Sequence, residues 1–238
     1  MKDSQPPARQ RGRGVPPGRG KRQPGRPSRG DDATDRAYQR ERLLDAAIAC
    51  YVRKGIAASS QREIAREANV TPALVNYYFG GKDELRDAVV TERILPAVAE
   101  LRAPMAEAGD DVLALASGFV SKAGQMAVSN PWFPALWVRE VLCEGGALRE
   151  VLFERIGPDV PAAMVRRFAN ARTRGELNAG LDPRLMMVSL VGLTFFPIAG
   201  AAIWRRLFAD AGFDTGDLGM DALHRHTLAL LEHGLRQG

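Results

Sequence analysis

In this chain of 238 residues, the side chains best placed for specific chemistry fall in one short window, 60–79. There Pro72, Ala73, Asn76 and Tyr77 recur at helical spacing and so share one face. An asparagine amide pairs bidentately with adenine, proline and alanine contact a thymine methyl, and a tyrosine hydroxyl reaches a phosphate oxygen. This is chemistry for reading a DNA groove, provided a scaffold holds the face outward. Catalytic chemistry has no comparable set: there is no glycine-rich phosphate loop and no nucleophile elbow. His224 and His226 point to different sides of a helix, and His226 and His233 share a face better suited to a surface or a helix seam than to a metal. We therefore expect no enzyme, no cofactor and no metal site.

The elements that must position this face are legible from local signals. Leu43, Leu44, Ala47, Ile48, Tyr51 and Val52 follow helical spacing until Lys54-Gly55 closes the run. Ser60-Gln61-Arg62-Glu63 reads as a capping box opening a short helix that ends near Ala68-Asn69. Thr71-Pro72 is a cap followed by proline at the first helical position, opening a second helix that runs to Phe79 and stops at Gly80-Gly81. Two short helices joined by a turn of three to four residues form a helix-turn-helix, whose first member grips the second through Ile64, Ala65, Ala68, Val70 and Val75.

The run Ile64-Ala65-Arg66-Glu67-Ala68-Asn69-Val70-Thr71-Pro72-Ala73-Leu74-Val75-Asn76-Tyr77-Tyr78-Phe79, followed by Lys82-Asp83-Glu84-Leu85, resembles the signature of the tetracycline-repressor (TetR/AcrR) family over about residues 38–90. The resemblance implies that Ser60 and Lys82 contact phosphates at two helix N-termini, where free N–H groups favour an anion. It also implies that Arg62, Pro72, Ala73, Asn76 and Tyr77, with the cap Thr71, read bases or clamp the DNA backbone. The family usually carries tyrosine where this chain has Asn76, which exchanges an aromatic phosphate contact for an amide and alters the operator preference to be expected. Tyr78 and Phe79 are expected to pack beneath the helix.

Beyond Leu85, helical stretches are expected at 83–102, 110–129, 131–153, 158–175, 183–208 and 217–236, with no strand pattern anywhere. The fold class is therefore all-α: an N-terminal three-helix DNA-binding domain with a helix-turn-helix, then a larger C-terminal helical domain for ligand binding and dimerisation. Family members are homodimers joined by their last two long helices, and 183–208 and 217–236 are similar in position and length. Leu185, Met186, Val188, Leu190, Leu193 and Phe196 supply apolar surface there, which serves either a second subunit or the monomer core. Met126, Trp132, Phe133, Trp137, Phe168, Phe195 and Phe196, with Met164, form an adaptable apolar set that suits either core or the wall of a ligand cavity. Arg139 and Glu140 interrupt these runs and are candidates to orient a polar end of a small hydrophobic or aromatic effector. The stretch Phe168–Pro197 is similar to the C-terminal domain of a subgroup of these regulators, a diffuse likeness that identifies no ligand.

Charge divides the chain unevenly. Residues 1–30 hold nine Lys/Arg and one Asp, +8, against +5 for the whole, so the remainder sums to −3. Residues 1–34, alternating Arg, Gly and Pro, are expected to be a disordered basic tail, with 35–82 the DNA-binding domain and 83–238 the effector and dimerisation domain. Within the tail, Lys21–Pro27 resembles an AT-hook core, although a basic arm without base preference explains it as well. Cys50 and Cys143, each in an apolar stretch, read as buried reduced thiols with no disulfide. The N-terminus has no apolar signal core, and the longest apolar run, Leu185–Trp204, is broken by Gly192, Pro197 and Gly200, so a cytoplasmic protein without membrane contact is expected. The expected partners are double-stranded operator DNA, a second copy and an unidentified small-molecule effector. Two rival readings remain: an architectural DNA-binding protein acting through its tail, and a helical small-molecule-binding protein without an operator.

Overall fold

The structure, a computed structural model, describes residues 29–235, and from Tyr38 onward the chain forms one compact unit. The basic tail, including Lys21–Pro27, lies outside the described residues except at its end. There α1 (Arg29–Lys54) begins six residues before the expected start of the DNA-binding domain at residue 35. No strand occurs among the described residues, and the fold is all-α.

Three helices form the N-terminal part: α1, α2 (Gln61–Glu67) and α3 (Pro72–Phe79). Leu43, Leu44 and Tyr51 from α1, Ile64 from α2 and Val75 from α3 are fully buried together with Leu85. Each of the aliphatic side chains among them contributes about 1.5–3 kcal/mol of transfer free energy. This small core sets the angle at which α3 is presented.

The next helix, α4 (Lys82–Val89), passes through a wide turn at Val90–Ile94 into α5 (Leu95–Glu100). Pro96 explains that widening, because it has no N–H for the carbonyl of Glu92 and its ring crowds that carbonyl. Then come α6 (Ala103–Glu107) and α7 (Val112–Ser129), whose N-terminus is capped by Asp111 accepting from the N–H groups of Leu113 and Ala114 at 2.9 and 3.0 Å. The second half contains α8 (Phe133–Trp137), α9 (Arg149–Val151), α10 (Asp159–Thr173), α11 (Met186–Ala199), α12 (Ala201–Asp210) and α13 (Met220–Leu235). Wide turns also follow α8, at Val138–Leu142, and α9, at Leu152–Ile156. The buried face of α7, from Val112 to Met126, packs against α6, α10, α11 and α13 and is the axis of the body.

Two of the expected helices are broken. The stretch 131–153 opens between Cys143 and Leu148, because Gly145 takes a positive φ of 76° and Gly146 lies against the backbone carbonyl of Glu140. A Cβ on Gly146 would sit 2.2 Å from that oxygen, so only glycine fits. The stretch 183–208 bends by 64° between α11 and α12 at Gly200, just beyond Pro197, whose ring disturbs the preceding turn. Among the described residues no single helix is long and apolar enough to cross a membrane.

Candidate nucleic-acid interface

The sequence signals around α2 become geometry in full, whereas Thr71 occupies the N-cap of α3 without a side-chain cap hydrogen bond, so Pro72 at the first helical position marks that start. Ser60 accepts from the Glu63 N–H at 3.3 Å while Glu63 accepts from the Ser60 N–H at 3.1 Å, so the capping box is closed. Lys54 at the end of α1 also pairs with Glu63, and these partners hold its carboxyl down at about 2. At the other end of α2 the Val70 N–H bonds the Ala65 carbonyl at 2.8 Å and the Asn69 N–H bonds that of Arg66 at 3.1 Å. This is a Schellman motif, and Asn69, at φ 56°, occupies its left-handed position. Asparagine tolerates that conformation because its short amide can satisfy itself locally. Arg42 donates to the Ala68 carbonyl at 2.7 Å and ties α1 to the same corner.

On α3, Val75 is fully buried and Tyr78 and Phe79 are half-buried beneath the helix. Thr71, Pro72, Ala73, Asn76 and Tyr77 are exposed, as are Ser60 and Arg62, and Tyr77 is 68% exposed although it is an aromatic residue. Tyr77 stands edge-on to Tyr78, with ring centroids 5.2 Å apart, which restrains the ring without covering its hydroxyl. Sequence reasoning missed Gln61: its amide donates to Asn76 Oδ1 at 3.0 Å across the two helices. The pairing orients Asn76, leaving Nδ2 and the second lone pair of Oδ1 for a base edge. Lys82 opens α4 and donates to the Ala57 carbonyl at 2.8 Å, so its ammonium is held beside the start of α2.

Two sets of contacts hold this assembly to the rest of the unit. Arg40 on α1 grips Glu92 with two bonds of 2.5 and 2.6 Å and lies 5.0 Å over the Phe79 ring; Arg93 pairs with Glu41 at 2.5 Å. The Arg40 hydrogen bonds keep the Glu92 carboxyl below its ordinary range despite partial burial. The second contact is a single buried carboxylate. Glu140, 4% exposed, accepts from the Ile56 N–H on Oε1 and from the Ala147 N–H on Oε2, both at 3.0 Å. Ile56 lies in the link between α1 and α2, so Glu140 joins the helix-turn-helix to the turn that follows α8. Gly55 makes room for it, since a Cβ there would approach Oε1 to 2.9 Å.

The residues expected to bind an effector do not all gather in one place. Phe133, Trp137 and Phe195 do: their rings are 5.7–6.3 Å apart and line a largely enclosed cavity of ≈ 80 Å³. Val98, Leu101, Phe119, Val160, Met187 and Val191 complete its apolar wall, with Arg102 the one charged residue of the lining. None of these had been singled out in the sequence, where they look like ordinary core positions. Trp132 lies tilted against Phe133, with ring centroids 5.7 Å apart. Met126 and Phe168 are fully buried in the core away from the cavity lining, because α7 and α10 turn those faces toward neighbouring helices. Phe196 is 73% exposed on α11, pointing away from its neighbour Phe195 as successive helical residues must. Arg139 is exposed on an open cleft of ≈ 540 Å³ beside Val52, Lys54 and Gly55, and Glu140 is spent on backbone N–H groups, so neither faces the apolar cavity.

Cys50 is buried, whereas Cys143 is exposed because the chain leaves its helix there for the Gly145-Gly146 turn. Along α11, Leu185, Val188, Gly192 and Phe196 are exposed at near-fourfold spacing, and Leu230 of α13, together with Ile203 and Leu207 of α12, is also uncovered. Among the described residues no three His, Cys, Asp or Glu side chains gather as a metal would need.

Residues 43–89 match the family model described as bacterial regulatory proteins, tetR family. Over 64 residues the chain is 36% identical to the HTH-type transcriptional regulator SrpR of Pseudomonas putida, covering 27% of this chain and 30% of that protein. It is 47% identical over 47 residues to the HTH-type transcriptional regulator BetI of Brucella anthropi, covering 20% of this chain and 24% of that one. The chain thus aligns with less than a third of the length of these curated relatives. Among solved structures, the ketosteroid transcriptional regulator KstR2 of Mycobacterium tuberculosis superposes with a TM-score of 0.66 at 16% identity, over 84% of this chain and 96% of that one. The fatty acid degradation regulator FadR of Bacillus halodurans does so with a TM-score of 0.54 at 20% identity, over 84% and 97%. At such identities these likenesses establish the fold alone.

Proposed function

We propose that this chain, which belongs to the tetR family of bacterial regulatory proteins, is a dimeric repressor that leaves its operator when a small apolar effector fills the C-terminal body. The observation that carries the DNA-binding reading is the outward face of α3. Pro72, Ala73, Asn76 and Tyr77 are exposed on α3, which is seated through Val75 against α2, itself fixed by a closed capping box and a Schellman turn. Ser60 and Lys82, at the starts of α2 and α4, supply phosphate contacts on either side, and Arg62 and Thr71 extend them. The exposed apolar line of α11, with α13, is the surface for a second copy, which sets two recognition helices on a two-fold-related site.

Residues 83–238 then form the effector and dimerisation domain, and the cavity walled by Phe133, Trp137 and Phe195 is the effector site. A ketosteroid transcriptional regulator and a fatty acid degradation regulator share the fold, which is in keeping with an apolar effector. Glu140 provides the route to DNA. It lies three residues from Trp137 and holds the Ile56 N–H, so a shift of the cavity wall alters the seat of α2 and α3. The protein acts in the cytoplasm, where its DNA is.

Footprinting on DNA flanking the protein's own gene tests the reading: a protected pseudo-palindrome is expected, and none under any condition overturns it. A chain lacking residues 1–28 separates this from tail-driven coating of DNA. Specific binding with a shallower salt slope is the expected result, whereas complete loss of binding favours the architectural reading.

A further inference from the structure

Trp137 belongs to the wall shared by two voids. One is the ≈ 80 Å³ cavity and the other a smaller one of ≈ 10 Å³, and both are lined by Phe133, Trp137, Leu152 and Ile156. The indole N–H of Trp137 is buried and has no hydrogen-bond partner, although buried donors in folded proteins are nearly always paired. The side chains around it are hydrocarbon and aromatic apart from the Arg102 guanidinium, which only donates, so none offers an oxygen acceptor. An unpaired buried donor opposes folding and rewards whatever pairs with it.

We propose that the effector is an uncharged apolar molecule bearing one oxygen acceptor, a ketone, ester or ether, which takes the hydrogen bond of Trp137 Nε1. This rests on the reading of the cavity as the effector site and adds the chemistry that the site selects. A hydrocarbon fills the void but leaves the N–H unpaired. A carboxylate also pairs with it but must give up its hydration in a wall without a buried cation, and the one charged lining residue, Arg102, is exposed and bonded to the Ile156 carbonyl at 3.4 Å. The order of affinity is therefore ketone, then hydrocarbon, then carboxylate. Opening the cavity toward the smaller void turns the Trp137 ring, and with it the wide turn that carries Glu140.

The test uses the full chain and three probes of matched size: cyclohexyl methyl ketone, ethylcyclohexane and cyclohexanecarboxylate. Binding is followed by the indole N–H resonance of Trp137 and by line broadening of the probes, with no DNA present. The ketone should bind about five- to tenfold tighter than the hydrocarbon and move the Trp137 N–H resonance downfield. In Trp137→Phe, which keeps the aromatic wall, the two should bind alike. Equal binding of ketone and hydrocarbon to the wild type, tighter binding of the carboxylate, or a ketone preference that survives in Trp137→Phe overturns the inference and leaves the cavity as a ligand site. If none of the three binds, the effector site itself is overturned and the inference with it. The resonance shift in the wild-type chain decides the matter even if the variant fails to fold.

Discussion

Replacing Glu140 by glutamine tests the contact that joins the helix-turn-helix to the body. The carboxylate receives one N–H on each oxygen at 3.0 Å, from Ile56 and from Ala147, in a site only 4% exposed. A glutamine amide has one oxygen, so whichever way it turns, one of the two N–H groups meets an NH₂ donor. A hydrogen bond to a charged group is worth about 1.5–3 kcal/mol, and a buried donor left unpaired costs about 1–3 kcal/mol. Easier desolvation of the neutral amide offsets part of this. A net loss of about 2 kcal/mol follows, which for a chain of this length lowers Tm by about 4–8 °C. Thermal melting reads the total, and amide exchange reads its location: the Ile56 and Ala147 amides should lose protection while those of α7 keep theirs. Under the proposed function, release from DNA by an effector should also weaken, since the variant keeps the cavity and loses its link to α2. A variant that melts within a degree of the wild type, with both amides protected as before, would refute the assignment of Glu140 as the tie.

Three further substitutions probe local geometry. Gly146→Ala places a methyl 2.2 Å from the Glu140 carbonyl and should destabilise by about 3 kcal/mol, read by chemical denaturation, whereas alanine at Gly192, where nothing lies within 4 Å, should not. Asn69→Val puts a β-branched residue at φ 56° and should cost about 1–2 kcal/mol, with Asn69→Gly near neutral in the same assay. Glu63 has its folded pKa held at about 2 against an ordinary value of 4.5, so its contribution is present above that ordinary value and is lost as pH falls through about 2. Proton titration of the Ser60 amide should follow that window, and Glu63→Gln should remove the dependence.

What the sequence made legible were features whose cause is local. Ser60 with Glu63 fixes the start of α2 through bonds within four residues, and Pro72 fixes that of α3 through its preset φ, so the ends of α2 and α3 could be placed without knowing the fold. The break at Cys143–Leu148 could not, because Gly146 is needed for its approach to the Glu140 carbonyl and the Glu140 side chain for a partner 84 residues away. The cavity failed for another reason. An apolar residue facing a void and one facing a neighbouring helix obey the same periodicity, so Met126 and Phe168 looked no different from Phe133 and Phe195. Gln61 left a signal that could have been used, since it and Asn76 are the two amide side chains on facing helices.

The three wide turns, at Val90–Ile94, Val138–Leu142 and Leu152–Ile156, all border the voids around Trp137 through Ile94, Val141 and Ile156. Each contains one residue more than a regular helix would use over the same path, and a residue taken up into regular helix adds about 1.5 Å of length. The walls of this void are therefore built with slack. Each of the three segments thus holds, beside a void, a residue whose return to regular helix would change the length of that wall by about 1.5 Å without unwinding it.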